Sequence, residues 1–113
     1  MKLNVYSILD QATAAYMRPF YLQSDNQALR MFSDIILDES HEIAKHPEDY
    51  VLCRIGIWDD QTAETTPETV STLITGLEAR ARVLEARAQL GESSEGVERY
   101  GREIMPGGVV NNG

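Results

Sequence analysis

The chain has one cysteine among its 113 residues, so no disulfide can form within it. Cys53 stands inside an apolar run, which is the setting of a small core residue rather than of an activated thiol. A lone cysteine is typical of proteins that work in a reducing cytoplasm. We therefore expect neither a disulfide framework nor a cysteine nucleophile.

Long hydrophobic segments are also missing. The residues that follow Met1 alternate in polarity instead of forming the apolar stretch of a signal peptide. No run approaches the length that crosses a bilayer. We expect a soluble chain with no targeting segment and no membrane partner.

Positive charge is scarce. The chain has 10 Lys and Arg against 18 Asp and Glu, which gives a net charge of −8. Binding along an extended stretch of nucleic-acid backbone needs many Lys and Arg side chains to neutralise phosphates. This composition therefore argues against such binding. It remains compatible with a local basic and aromatic patch. Acidity also keeps a small protein soluble.

Recognisable catalytic and ligand-binding motifs are absent. The sequence has no glycine-rich phosphate loop and no Ser/His/Asp arrangement. Its two histidines, His41 and His46, are five residues apart, whereas a helical metal pair needs a spacing of four. The acidic group of Asp59, Asp60 and Glu64 does not match a calcium-binding loop. We expect no enzymatic activity, no cofactor and no bound metal.

The first third of the chain predicts a hairpin followed by a helix. Residues 2–9 alternate with period two, which indicates a strand, and the aromatic-rich residues 16–22 predict a second one. Pro19 removes a backbone donor and so places that second strand at a sheet edge. Ser24 and Gln27 have the spacing of a capping box. The apolar residues that follow have helical spacing, namely Ala28, Met31, Phe32, Ile35 and Ile36.

We expect the first helix to end between Asp38 and Lys45, and Pro47 prevents any continuation beyond them. A third strand and a second helix are predicted after Pro47. Residues 50–58 are almost continuously apolar, as in a buried strand. The run Thr66-Pro67-Glu68 has the chemistry of a helix start, and Gly91 is a natural stop. Apolar residues between them form a heptad-like seam, with members at Val70, Ile74, Leu77, Ala81, Leu84 and Ala88. We expect this seam to pack on the sheet or on a second copy, as an oligomer interface.

The predicted element order is therefore β-β-α-β-α. It indicates an α+β fold with a small three-stranded sheet, one helix on a face of that sheet, and a C-terminal amphipathic helix. The expected organisation is a core domain over residues 1–65, the amphipathic helix over 66–91, and a Gly/Glu-rich tail over 92–113 that is flexible or docked. We expect the chain to form a homo-oligomer.

One sheet face could bind single-stranded nucleic acid. If Val51 and Cys53 face the first helix, alternation turns other side chains of the same strand away from it. In one register these meet side chains of the second strand, and the resulting candidate residues are Arg18, Phe20, Arg54 and Trp58. Aromatic residues stack on bases, while Arg and Lys hold phosphates. The alternative is that this face is covered by the second helix or by another subunit, because interfaces favour the same residue types.

Four segments of the chain resemble a known family when they are taken in order. They are MKLNVYSI (residues 1–8), YMRPF (16–20), SDNQALRMFSD (24–34) and HPEDY (46–50). Together they resemble the small nonstructural protein of gokushoviruses, which are single-stranded DNA phages of the Microviridae. The resemblance extends over residues 1–66 and is weaker beyond them.

This resemblance implies a non-capsid phage protein that works in the cytoplasm of the infected host. Its implied role is in DNA replication, where it favours synthesis of the single-stranded genome over further duplex copies. No catalytic or binding residues are carried over from the family. A hypothesis of a different class is an acidic interaction module that binds a host replication or defence protein by mimicking the charge of DNA.

Overall fold

The computed structural model describes the backbone of residues 1–98 and the side chains of residues 1–90. The chain divides between residues 81 and 82 into two units. The strands are β1 (Lys2–Asp10), β2 (Ala15–Tyr16), β3 (Phe20–Leu22), β4 (Tyr50–Asp59) and β5 (Thr65–Thr75). The helices are α1 (Asp25–Leu37), α2 (Glu42–Lys45) and α3 (Gly76–Glu98), with a 3-10 turn at Pro47–Asp49. The part of the tail beyond residue 98 lies outside the described residues.

The sheet is larger than the three strands that the sequence predicted. It is a five-stranded antiparallel sheet in the order β2-β1-β4-β5, with β3 also paired to β1. Three α-helices accompany it within the described residues, instead of the predicted two. The prediction of a three-stranded sheet with one packed helix and one C-terminal helix is therefore wrong, although the α+β class holds.

Two segments account for the two additional strands. The predicted second strand is interrupted at residues 17–19, beside Pro19, and leaves two short strands, β2 and β3. The predicted helix over 66–91 is also wrong in its first part, because residues 65–75 form strand β5. This stretch is rich in Thr, Val and Ile, whose branched side chains favour strands. Pro67 is tolerated because β5 is the last strand on its side of the described sheet.

The hydrophobic core lies between α1 and one face of the sheet, called here the helix face. Phe32 of α1 and Leu52 of β4 are fully buried in it. The other buried members are Tyr6, Ile8, Ala28, Ile36, Ile43, Ile74 and Ala79. Because Leu52 belongs to this cluster, alternation puts Val51 and Cys53 on the opposite sheet face. The expectation that those two residues face the first helix is wrong.

The opposite face, called here the open face, is also well packed at its centre. Val5, Ser7, Val51 and Cys53 are buried there. Ser7 Oγ donates a hydrogen bond of 2.7 Å to the carbonyl oxygen of Met17, which ties the interrupted strand to this face.

None of the helices in the described part of the chain is long and apolar enough to cross a membrane.

An irregularity in the β1–β4 pairing decides which side chains share a face. Val5 pairs with Gly56, whereas the next residue, Tyr6, pairs with Arg54. Ile55 is therefore an extra residue on β4, as in a β-bulge. Beyond it the alternation changes sides, so that Trp58, paired with Leu3, lies on the open face while Arg54 lies on the helix face.

Candidate nucleic-acid interface

Arg54 is held by carboxylates from two other elements. Its Nε donates to Glu68 Oε1 on β5 at 3.0 Å, and its Nη1 lies 3.5 Å from Asp25 Oδ1 in the first turn of α1. The hydrogen bond and charge of Glu68, followed by the charge of Asp25, raise the pKa of Arg54 above its ordinary value. The guanidinium that the sequence offered as a phosphate contact is thus already paired within the chain.

Tyr6 extends this polar cluster into the core. Its hydroxyl donates to Asp25 Oδ1 at 2.8 Å and accepts from Asn4 Nδ2 at 3.0 Å. Burial raises the pKa of Tyr6 to about 12, with a further upward contribution from Asp25 and a downward one from the hydrogen bond of Asn4. The cluster joins three strands to the N-terminus of α1, where a carboxylate is favoured by the helix dipole. The cluster therefore stabilises the packing of α1 on the sheet.

Phe20 also has a structural position. It pairs with Tyr6 across the β1–β3 ladder and stacks on its ring, with centroids 5.8 Å apart and planes at 25°. It is half-buried and packs against the core. Phe20 and Arg54 therefore lie on the helix face, where both are half-buried and already make contacts within the chain.

Trp58 lies on the open face beside a residue that the sequence did not single out. Its ring meets Tyr21 edge to face, with centroids 5.6 Å apart and planes at 66°. These two side chains line a shallow groove, and Tyr21 is 44% exposed. Tyr21 pairs with Val5, whose side chain lies on the open face, away from α1. Phe20 and Tyr21 alternate along the strand, so only one of them can face the helix. Tyr21 could have been identified from the sequence only if the sequence showed which one that is.

Arg18 is exposed in the segment between β2 and β3. Its neighbours Tyr16 and Met17 are exposed as well, at 51% and 44%. The four predicted nucleic-acid contacts therefore do not form one surface. Arg18 and Trp58 are accessible from outside the core, whereas Phe20 and Arg54 serve the helix face.

The histidines have local roles. His41 caps α2, since its Nδ1 accepts from the Ile43 N–H at 3.1 Å. Ligand atoms of His46, Glu48 and Asp49 lie within 4.8 Å of one another, but His46 and Glu48 are exposed side chains on a polar turn. The expectation that no metal binds stays a prediction.

The structure divides the predicted oligomer seam between two elements. Val70 and Ile74 belong to β5, and Ile74 is buried in the core of its own chain. The remaining members, Leu77, Ala81, Leu84 and Ala88, lie on α3 and are exposed. Only this second group is available to another molecule as a helical seam.

Comparison with known proteins identifies a family for this chain. A family model described as Phage ORF5 protein matches residues 3–80. The match begins in β1 and ends in α3, and it covers more than half of the chain. No curated protein matches the chain, and no solved structure does.

Proposed function

The chain belongs to the phage ORF5 protein family, and we propose on that premise that it is a non-enzymatic accessory protein in viral single-stranded DNA synthesis. It would act in the cytoplasm of the infected host. The resemblance of residues 1–66 to the gokushovirus nonstructural protein supports a phage with a single-stranded genome. Membership of the family by itself supports only the statement that the chain is a phage protein.

The observation that carries the DNA contact is the Tyr21–Trp58 pair on the open face. Unpaired bases stack on accessible aromatic rings irrespective of their sequence, and the 44% exposure of Tyr21 leaves room for one. Arg18 supplies an exposed cation in the segment between β2 and β3, three residues before Tyr21. The contact is local, because a chain of net charge −8 cannot hold a strand along its whole surface.

Titration with a short labelled oligothymidylate tests the proposal by two measurements, the fluorescence of tryptophan and the anisotropy of the label. Trp58 is the chain's only tryptophan, so stacking on it quenches the intrinsic tryptophan fluorescence as the anisotropy of the label rises. A stacked base is worth about 1–3 kcal/mol, so we expect Tyr21→Leu to weaken binding by about tenfold. We expect Arg18→Gln to weaken it as well.

Two variants serve as matched controls. Arg30→Gln removes the same charge from the exposed surface of α1 and should leave affinity unchanged. Arg54→Gln should lower the free energy of unfolding by about 1 kcal/mol, because it opens two partly exposed ion pairs, yet leave affinity unchanged. If the oligonucleotide does not bind at low salt, or if Arg54→Gln weakens binding while Tyr21→Leu does not, the proposed contact is wrong.

The acidic surface favours a second candidate, a module that binds a host replication or defence protein. Asp60 and Glu64 are exposed in the turn between β4 and β5, within a chain of net charge −8. Capture from host lysate tests it, with Asp60→Asn/Glu64→Gln as the comparison. One stoichiometric replication or defence protein that the double variant loses would support this candidate. An empty lane would count against it.

A further inference from the structure

Helix α3 has two apolar stripes that point in different directions. Ala79 is 1% exposed and belongs to the core. Val83 falls on the same side of the helix by its spacing of four residues. A second stripe follows from the spacing of 77, 81, 84 and 88, and its two leucines are 54% and 50% exposed. The helix thus uses one stripe for its own fold and leaves the other for a partner.

The exposed stripe has the spacing of a coiled-coil seam. Leu77 and Leu84 fall at the position conventionally called d, with Ala81 and Ala88 at position a. The flanking positions carry opposite charges: Glu78 and Glu85 lie at e, while Arg80 and Arg87 lie at g. All four flanking side chains are exposed, and neither arginine makes an ion pair within the part of the chain that the structure describes.

This arrangement of charges selects one partner geometry. In a parallel pair of helices, position g faces position e of the other helix five residues further on, so Arg80 meets Glu85 of the partner subunit. In an antiparallel pair, g faces g, which would bring arginines together. We propose that α3 pairs with α3 of a second copy of this chain, in parallel and in register, through the exposed Leu/Ala stripe.

The start of α3 is fixed firmly enough to present this stripe. Thr75 and Glu78 form a reciprocal capping box, with hydrogen bonds of 3.0 and 3.1 Å between each side chain and the other residue's backbone N–H. Gly76 packs directly against the backbone of Pro47. Because the seam is only two heptads long, the interface is small and the dimer should be weak and dependent on concentration. The seam shares no residue with the proposed DNA contact.

Sedimentation velocity over a series of concentrations tests the dimer and its orientation. We expect Leu84→Asp to abolish dimerisation without unfolding the chain, since the leucine is half exposed. We expect Arg80→Glu to weaken the dimer by about fivefold, because it turns two attractive contacts into repulsive ones. The double swap Arg80→Glu/Glu85→Arg should restore the wild-type affinity.

Arg82→Glu is the matched control, since it makes the same charge change on an exposed position outside the seam and should leave the dimer unchanged. A wild-type chain that stays monomeric at every concentration would overturn the proposal, as would a dimer that survives Leu84→Asp. A dimer that tightens on Arg80→Glu would be antiparallel and would overturn it too. Melting curves of each variant keep loss of folding distinct from loss of assembly.

Discussion

Among single residues, Tyr6 makes the contact that joins the core to the polar cluster. Its ring is fully buried against Phe20, and its hydroxyl meets Asp25 at the start of α1. An ionised phenol in that place would lose solvation and would repel the carboxylate. The folded chain therefore keeps Tyr6 protonated at a pH where the unfolded chain ionises it.

This coupling predicts a loss of stability in alkali. With a folded pKa of about 12 against 10.0 for an ordinary tyrosine, the stabilisation is complete below pH 10 and disappears as the pH rises to about 12. At pH 11 the expected loss from Tyr6 is about 1 kcal/mol. Urea unfolding at pH 8 and pH 11 measures it, with Tyr6→Phe as the reference. Equal losses in the two proteins would show that Tyr6 is not the group responsible.

The candidate site could be predicted only in part, because one extra residue in β4 reverses which side chains of that strand face α1. The sequence identified Trp58 and Arg18 as accessible groups of the right chemistry. It assigned Arg54 to the same face as Trp58, since the two residues are four positions apart and an uninterrupted strand alternates with period two. The bulge at Ile55 reverses that relation, and an apolar residue within an apolar run gives no sign of it. Tyr21 was missed for a related reason, because its face depends on the register with β1.

At the scale of elements, the correct predictions rested on signals that agreed with one another. α1 has its cap at Ser24, where the side chain accepts from the Gln27 N–H at 3.2 Å, and a matching apolar stripe follows. For residues 65–75 the signals conflicted. Thr66-Pro67-Glu68 resembles a helix start, but the β-branched residues that follow favour a strand. The true start, Thr75 with Glu78, is also visible in the sequence as a capping box.

The junction of β5 and α3 depends on a glycine. A Cβ placed on Gly76 would overlap the carbonyl oxygen of Pro47, which is a backbone atom and cannot turn aside. We expect Gly76→Ala to destabilise the fold by about 1–3 kcal/mol or more, as other overpacked sites do. Chemical denaturation measures this, and Thr75→Ala, which removes only the cap at a cost of about 1 kcal/mol, is the comparison. If the glycine variant were as stable as the wild type, the close approach to Pro47 would be ruled out.

At the scale of the whole molecule, negative charge limits how the chain can hold DNA. Affinity for single strands falls with salt according to the number of phosphates neutralised, with a slope of about −0.7 for each in a logarithmic plot. A contact made by stacking on Tyr21 and Trp58, with Arg18 as the main cation, predicts a shallow slope of about −1. An extended basic track with six contacts would give about −4 instead.

Anisotropy titrations between low and moderate sodium chloride measure this slope, and the variants separate its two sources. We expect Arg18→Gln to flatten the plot by about 0.7, because one phosphate contact is lost. Tyr21→Leu should lower affinity equally at every salt concentration, since stacking releases no counterions. A steep slope that neither variant changes would mean that phosphates dominate and that the binding surface lies elsewhere on the chain. The shallow slope is the outcome that reconciles a net charge of −8 with a role at single-stranded DNA.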